Sequence, residues 1–469
     1  MSIVTAIIAK DLRELRRDRR VFAMALLVLA LGLTALATSY VRIAAYESDR
    51  AATNVADRAT WEAQGARNPH SAAHFSKWAF KPLTAQAVLD PGIAAFSGSA
   101  VWMEAHNRNP AVARPIDDQT VILPSGDFSV AWVLQVLMPL LVAVIAAGCV
   151  ARERERGTLR LMLASGVGEL GLVRAKLASI GAVTLLLGGA ISAIGAVAAT
   201  GAGPVDPARL VLWLIAYAVF LAIVVAVAVA VSLHARSSGQ ALMVLAGLWL
   251  FAIILTPRAA VSLAEYAAPA PTSEKFWADV ASAKESYPSP FADGMEAFGA
   301  KVMAQYGVTR LEDLPVSFGG LQLEEDERLG NLVYDQQFAA LFGVYARQRE
   351  WLRWANLVSP LPALQNISMA LSGTDMPHQI AFQQQAERRR RALVTRLNTD
   401  LIENGASADF DYLAGPQLWA EVKDFAFSPP SLGATLAELW RDALILLVWL
   451  AAATLFALRS ARHLAGEGR

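Results

Sequence analysis

His70 and His74, in Pro69-His-Ser-Ala-Ala-His74, stand four residues apart. That spacing lets two imidazoles share a helix face as metal ligands. No carboxylate or third ligand lies at a motif distance, and His106 and His378 are far away along the chain, so no metal site is expected. Arg388 to Arg391, followed by Arg396, offer cations to an anionic substrate or lipid headgroup. The acidic run Glu324 to Glu327 can neutralise them instead, and that pairing is the expected role. The remaining catalytic patterns are missing. No G-x-x-x-x-G-K-S/T and no Gly-Lys pair occur, so the chain has no phosphate cradle of its own. H-E-x-x-H and G-x-S-x-G are also absent. No catalytic or cofactor-binding residue is therefore expected, and if the protein does directional work, a separate chain supplies the energy.

The elements that would carry these groups follow from hydropathy. Of 469 residues, 55% are apolar and 17% charged, against roughly 45–50% and about 25% in a typical soluble chain. The surplus gathers in six runs long enough to cross a hydrocarbon core of about 30 Å. They predict spanning helices at 21–41, 129–150, 172–205, 208–233, 237–257 and 439–458. Small side chains at Gly181, Gly188, Ser192 and Ala196 in the third predict close helix packing. The uncharged stretches within them, 21–41, 129–150, 177–205, 210–233, 237–257 and 443–458, hold no Asp, Glu, Lys, Arg or His, which argues against an ion-coupled carrier. Lys plus Arg and Asp plus Glu both total 41, so no global field attracts nucleic acid. The single cysteine, Cys149, excludes a disulfide framework.

The first run is too long for a signal-peptide core and lacks a small-residue cleavage site, so it reads as an anchor. Basic residues set the orientation. They cluster before the first run (Lys10 to Arg20), between the second and third (Arg152 to Lys176), at Arg236, and at Arg459, Arg462 and Arg469. With six crossings all four clusters face one side, which places both termini in the cytoplasm. The segments 42–128 and 258–438 then lie together on the far side. Helical spacing at Phe298 to Tyr306, Asp335 to Asn356 and Phe382 to Asn404 predicts one mostly helical periplasmic module built from both. The fold class is thus an all-α polytopic membrane protein with six transmembrane helices.

Two cytoplasmic segments stand out. Residues 1–20 predict an amphipathic interface helix, with Val4, Ile8, Leu12 and Leu15 on one face and Lys10, Arg13, Arg16 and Arg17 turned toward anionic headgroups. Within 151–171, alternating charges lead into Gly157 and Thr158, after which Leu159, Met162 and Leu163 form a short apolar face. Such a helix can insert into a groove on a partner.

Arg152-Glu-Arg-Glu-Arg-Gly-Thr-Leu159 resembles the E-K/R-E-R-G-T-L signature of the second class of ABC transporter permeases. Ala9-Lys-Asp-Leu-Arg-Glu-Leu15 looks like the amphipathic helix before their first span. Four further stretches resemble a bacterial branch with a large external insertion: Leu89 to Phe96, Trp102 to Pro110, Ser359 to Leu364 and Leu371 to Asp375. The resemblance implies that Glu153, Glu155, Arg156, Gly157, Thr158 and Leu159 begin a helix contacting a nucleotide-binding ATPase subunit. It also implies a second permease copy or a sister permease, in a bacterial inner membrane. Long segment 258–438 departs from the short hairpin usual at that place. The expected function is the membrane subunit of an ATP-driven transporter, export more than import. The rival reading is a membrane-anchored scaffold whose external module binds partners.

Overall fold

A computed structural model describes residues 3–75, 77–115 and 128–464. Arg469 of the basic tail and residues 116–127 of the first large loop lie outside the described residues. The fold is all-α and polytopic. Among the described residues, six helices are long and apolar enough to cross a membrane: Arg19–Glu62, Val130–Glu155, Glu169–Ala202, Pro207–His234, Ser238–Ala267 and Leu432–Leu464. The second and fourth form the centre of the bundle, 67% and 56% buried over their most apolar stretch, against 17% for the fifth.

The helices outrun the apolar stretches that announce them. The first has 44 residues, about 66 Å at 1.5 Å per residue, where a hydrocarbon core needs about 30 Å. Its polar second half therefore projects from the bundle as the stalk of a head. The third stops at Ala202 rather than at residue 205, where Gly203 takes φ 152.

Two spans carry a π-helical turn, Val133–Leu137 in the second and Leu250–Leu255 in the fifth. Each directly precedes a proline-bearing turn, at Pro139 and Pro257, and proline has no N–H to continue the ladder. Side chains take carbonyls of these turns: Trp249 Nε1 donates to Val136 O at 2.9 Å and Thr256 Oγ1 to Phe251 O at 2.8 Å.

The small-residue face of the third span is displaced from the expected one. A Cβ on Gly188 would lie 2.7 Å from Leu221 Cδ1, and one on Gly195 2.6 Å from Leu89 Cδ2, whereas Gly181 faces open space. Ser192 is buried but Ala196 only half so, because the contact stripe runs 188, 192, 195, 199. Gly188→Val is accordingly expected to cost about 1–3 kcal/mol by overpacking. The check is a lower detergent melting temperature for this variant and an unchanged one for Gly181→Val.

The head is one mostly helical unit drawn from both large loops. Its principal helices are Ser273–Glu285, Met295–Tyr306, Phe318–Trp354, Leu361–Ser372 and Met376–Gly405. Among the described residues its one two-stranded sheet pairs Trp78–Phe80 with Ala100–Trp102, antiparallel. Trp61 on the stalk and Trp419 pack edge to face at 5.8 Å, and Trp61 Nε1 donates to Trp419 O at 3.0 Å. Lys77, 1% exposed, bridges Asp57 of the stalk at 3.0 Å and Asp424 at 2.6 Å.

Helix Leu361–Ser372 seats the head on the bundle. Its Ser368 Oγ meets Tyr217 Oη of the fourth span at 2.9 Å, and Gln135 Nε2 of the second donates to the same hydroxyl at 2.7 Å. Trp213 Nε1 donates to Ser368 at 2.9 Å, and Ser368 donates to Asp90. Two stretches far apart in sequence meet here. Thr374 Oγ1 donates to Asp90 O at 3.0 Å, while Gly92, at φ 49, leaves no room for a Cβ against Thr374. Inside a bundle such polar groups are satisfied by one another because no water is available.

Candidate functional site

The four basic segments converge at the bundle end opposite the head. The N-terminal helix Ile3–Arg17 lies along the start of the third span, joined by Lys176 Nζ to Asp11 at 2.8 Å and by Ser179 Oγ to Asp11 at 3.1 Å. Both charges are buried, 2% and 6% exposed. The inward face of this helix is therefore Val4, Ile7, Ile8, Asp11 and Leu15, shifted from the apolar spacing by the ion pair. Arg13, Arg16 and Arg17 point outward. Lys10 does not stand free toward lipid: it pairs with Glu153 and lies 3.5 Å from Glu14. Burial works against its charge, yet Glu153, with Glu14 and Asp11 beyond, holds Lys10 above the ordinary lysine range.

Near the end of the second span the helix breaks at Gly148 and Cys149 and continues as two short helices, Ala151–Glu155 and Thr158–Ala164. Ser232 of the fourth span bridges that break. Its hydroxyl accepts from Val150 N at 3.1 Å and Ala151 N at 3.2 Å and donates to Ala147 O at 2.9 Å. These are the unpaired backbone groups a helix break leaves.

Each position from Glu153 to Leu159 has a distinct task. Glu153 accepts from Lys10 and from Thr158 Oγ1, so one carboxylate ties the N-terminal helix to both short helices. Arg154 donates to Leu233 O at 2.8 Å and to Ala235 O, capping the end of the fourth span, where cations are favoured. Glu155 accepts from Ser238 N at 3.1 Å and Ser238 Oγ at 2.9 Å, at the start of the fifth span, where anions are favoured. Arg156 is exposed, and Gly157 turns the chain at φ 72, a left-handed conformation cheap for glycine. Leu159 is 1% exposed and anchors in the bundle's own core.

Met162 and Leu163 also pack partly against that core, so Leu159, Met162 and Leu163 do not form a free apolar face. The residue turned outward is Leu161, 70% exposed. It borders a 580 Å³ groove between the N-terminal and second short helices, lined also by Ile3, Ala6, Lys10, Arg156 and Met162. Arg154 and Leu161 are additions to the expected site. A basic residue in the last turn of a helix was a signal for the first; the second was hidden, since a seven-residue helix has too few turns to define its buried side.

Residues 93–256 match the family described as ABC-2 family transporter protein. The chain carries a type-2 ABC permease region. The match runs through the second, third and fourth spans into the fifth and contains residues 151–164 of the junction, though not the N-terminal helix, and it supports a membrane permease of an ABC transporter. Residues 274–428 match the family described as a domain of unknown function (DUF3526) and cover most of the permease's head. No curated protein matches the permease.

In the permease's head, two members of the arginine run are paired internally. Arg390, 1% exposed, bridges Glu327 at 3.0 Å and Glu387 at 2.8 Å, and Arg391 bridges Asp335 at 2.7 Å. Burial pushes the Glu327 carboxyl up, but His106 and Arg390 outweigh it and bring it to about 2. Beside it, the structure brings His106 to His70 and His74, a third imidazole that no spacing in the sequence announces. His378 is elsewhere, bonded to its own N-cap Asp375.

Proposed function

We propose that the protein is the membrane subunit of an ATP-driven exporter whose energy comes from a separate nucleotide-binding ATPase docked at the junction of the N-terminal helix and residues 151–164. The carrying observation is that this junction is exposed on one side and bonded to three spans on the other. Asp11 connects it to the third span, Arg154 to the end of the fourth and Glu155 to the start of the fifth, while Glu153 ties its two halves together. A closing ATPase pressing on Leu161 and Arg156 would displace those helix ends together. ATP and Mg belong to the partner; this chain contributes the lever.

On this reading the junction faces the cytoplasm with both termini, and the head lies in the periplasm of a bacterial inner-membrane protein. A second permease copy or a sister permease covers the least buried spans, the first, fifth and sixth. Purification of the tagged protein from its native membrane tests the assignment. Recovery of a P-loop ATPase in stoichiometric amount is expected. Recovery of head-binding proteins alone would instead make the chain a scaffold.

A further inference from the structure

The head holds a second constellation, independent of the ATPase junction. We propose that His70, His74 and His106 form a three-imidazole site for a divalent late-transition-metal cation of the zinc class. The Nε2 atoms converge: His70 Nε2 lies 3.3 Å from His74 Nε2 and 3.2 Å from His106 Nε2, and the three ligand nitrogens lie within 4.8 Å of one another. A zinc ion about 2.0–2.1 Å from each nitrogen in tetrahedral geometry sets neighbouring nitrogens about 3.3 Å apart. Hydrogen bonding alone does not account for the cluster. A neutral ring nitrogen carries one proton or one lone pair, so His70 Nε2 serves one of its two neighbours well and not both. One cation on the shared lone pairs satisfies all three.

The scaffold that holds the imidazoles is built from distant segments. Asn68 caps the short helix Pro69–Ala73 by accepting from His70 N and Ser71 N, and its amide donates to Phe410 O at 3.0 Å and Tyr412 O at 3.2 Å. That fixes the backbone under His70 and His74. Ala105 N donates to Ala73 O at 3.2 Å, bringing the second segment alongside. His106 itself sits at φ 63, a sparsely populated conformation for a residue with a Cβ. Its N–H donates to Glu327, and its C=O accepts from Lys284 at 3.0 Å and Tyr334 at 3.3 Å. Local backbone cost held in place by such surroundings is a mark of functional positions.

Behind His106, Nδ1 faces the carboxylates of Glu327 at 3.2 Å and Asp326 at 3.4 Å, the outer-shell arrangement that orients a ligating imidazole. Arg390 in turn fixes Glu327. His74 is exposed, so the fourth coordination position opens to solvent and is available to water or to a donor atom of cargo. His70 and His74 lie outside both family-matched stretches, and His106 lies inside the first.

The test is calorimetric titration of zinc chloride into the full-length, untagged protein in detergent after chelator treatment. One ion per chain with saturable binding is expected, and cobalt in its place should give the intense visible bands of a tetrahedral site. His70→Gln and His106→Gln should each weaken zinc at least tenfold, while His463→Gln leaves affinity unchanged. Melting of each variant in chelator, compared with the parent in chelator, shows that the head is folded. Absence of saturable zinc binding by the parent, or equal affinity in a folded triple His→Gln variant, would overturn the proposal.

Discussion

Arg390→Leu is expected to destabilise the head by about 3–5 kcal/mol, the usual result of deleting one partner from a buried charge cluster. Arg390 is 1% exposed and its guanidinium reaches Glu327, Glu387, Asn331 Oδ1 and the Glu104 carbonyl. Leucine leaves the buried Glu327 and Glu387, 4% and 6% exposed, without the cation they share, Glu387 keeping Arg391 and Glu327 keeping His106. The melting temperature followed by tryptophan fluorescence should fall by about 10 °C or more, since Trp61 and Trp419 report on the same head. Arg390→Lys keeps the charge but loses the planar fork and should fall between the two. Adding Glu327→Gln and Glu387→Gln should restore part of the loss by removing the stranded charges. A melting temperature within 2 °C of the parent, on the order of the shift from 1 kcal/mol or less, would show that the cluster contributes little.

Leu161→Asp should have the opposite profile, leaving the fold intact and removing the coupling. At 70% exposure the side chain supports little of the bundle, so melting should not change. A carboxylate placed in an apolar contact with a partner must be desolvated without a cation to meet it. A cost of about 1.4 kcal/mol or more in that contact lowers partner affinity tenfold or more. Stimulated ATPase activity in reconstituted membranes should drop with it. Leu159→Asp is a poor probe of the same idea, because Leu159 is 1% exposed and the substitution would injure the bundle itself. Retained stimulation by Leu161→Asp would mean that the partner does not rest on this helix.

The spans were legible because each is a long uncharged run, and hydropathy alone reports that. Sidedness was legible as far as grouping goes: Lys10, Arg154 and Lys176 do gather at one end of the bundle. What periodicity could not give was the direction each short helix faces. Asp11 is buried against Lys176 although a charge on an interface helix ordinarily marks its wet side, and only the tertiary partner reverses that. The same holds for Leu159 and Leu161, two positions apart and on opposite sides. The histidine cluster was illegible for another reason. His106 reaches His70 through a hairpin and a backbone turn at φ 63, neither of which has a spacing rule. The Arg388 to Arg391 run was legible from charge only in part: Arg390 does meet Glu327 of the acidic block, but Arg391 pairs with Asp335 and Glu387 instead.

Site-specific photocrosslinking in native membranes tests most directly whether an ATPase drives this chain through residues 151–164. A photoreactive side chain in place of Leu161 should capture a P-loop ATPase, and the same group in place of Trp351, exposed on the head, should not. Capture of that ATPase from Trp351 but not from Leu161, or no ATPase captured from Leu161 in an otherwise folded protein, would contradict the account.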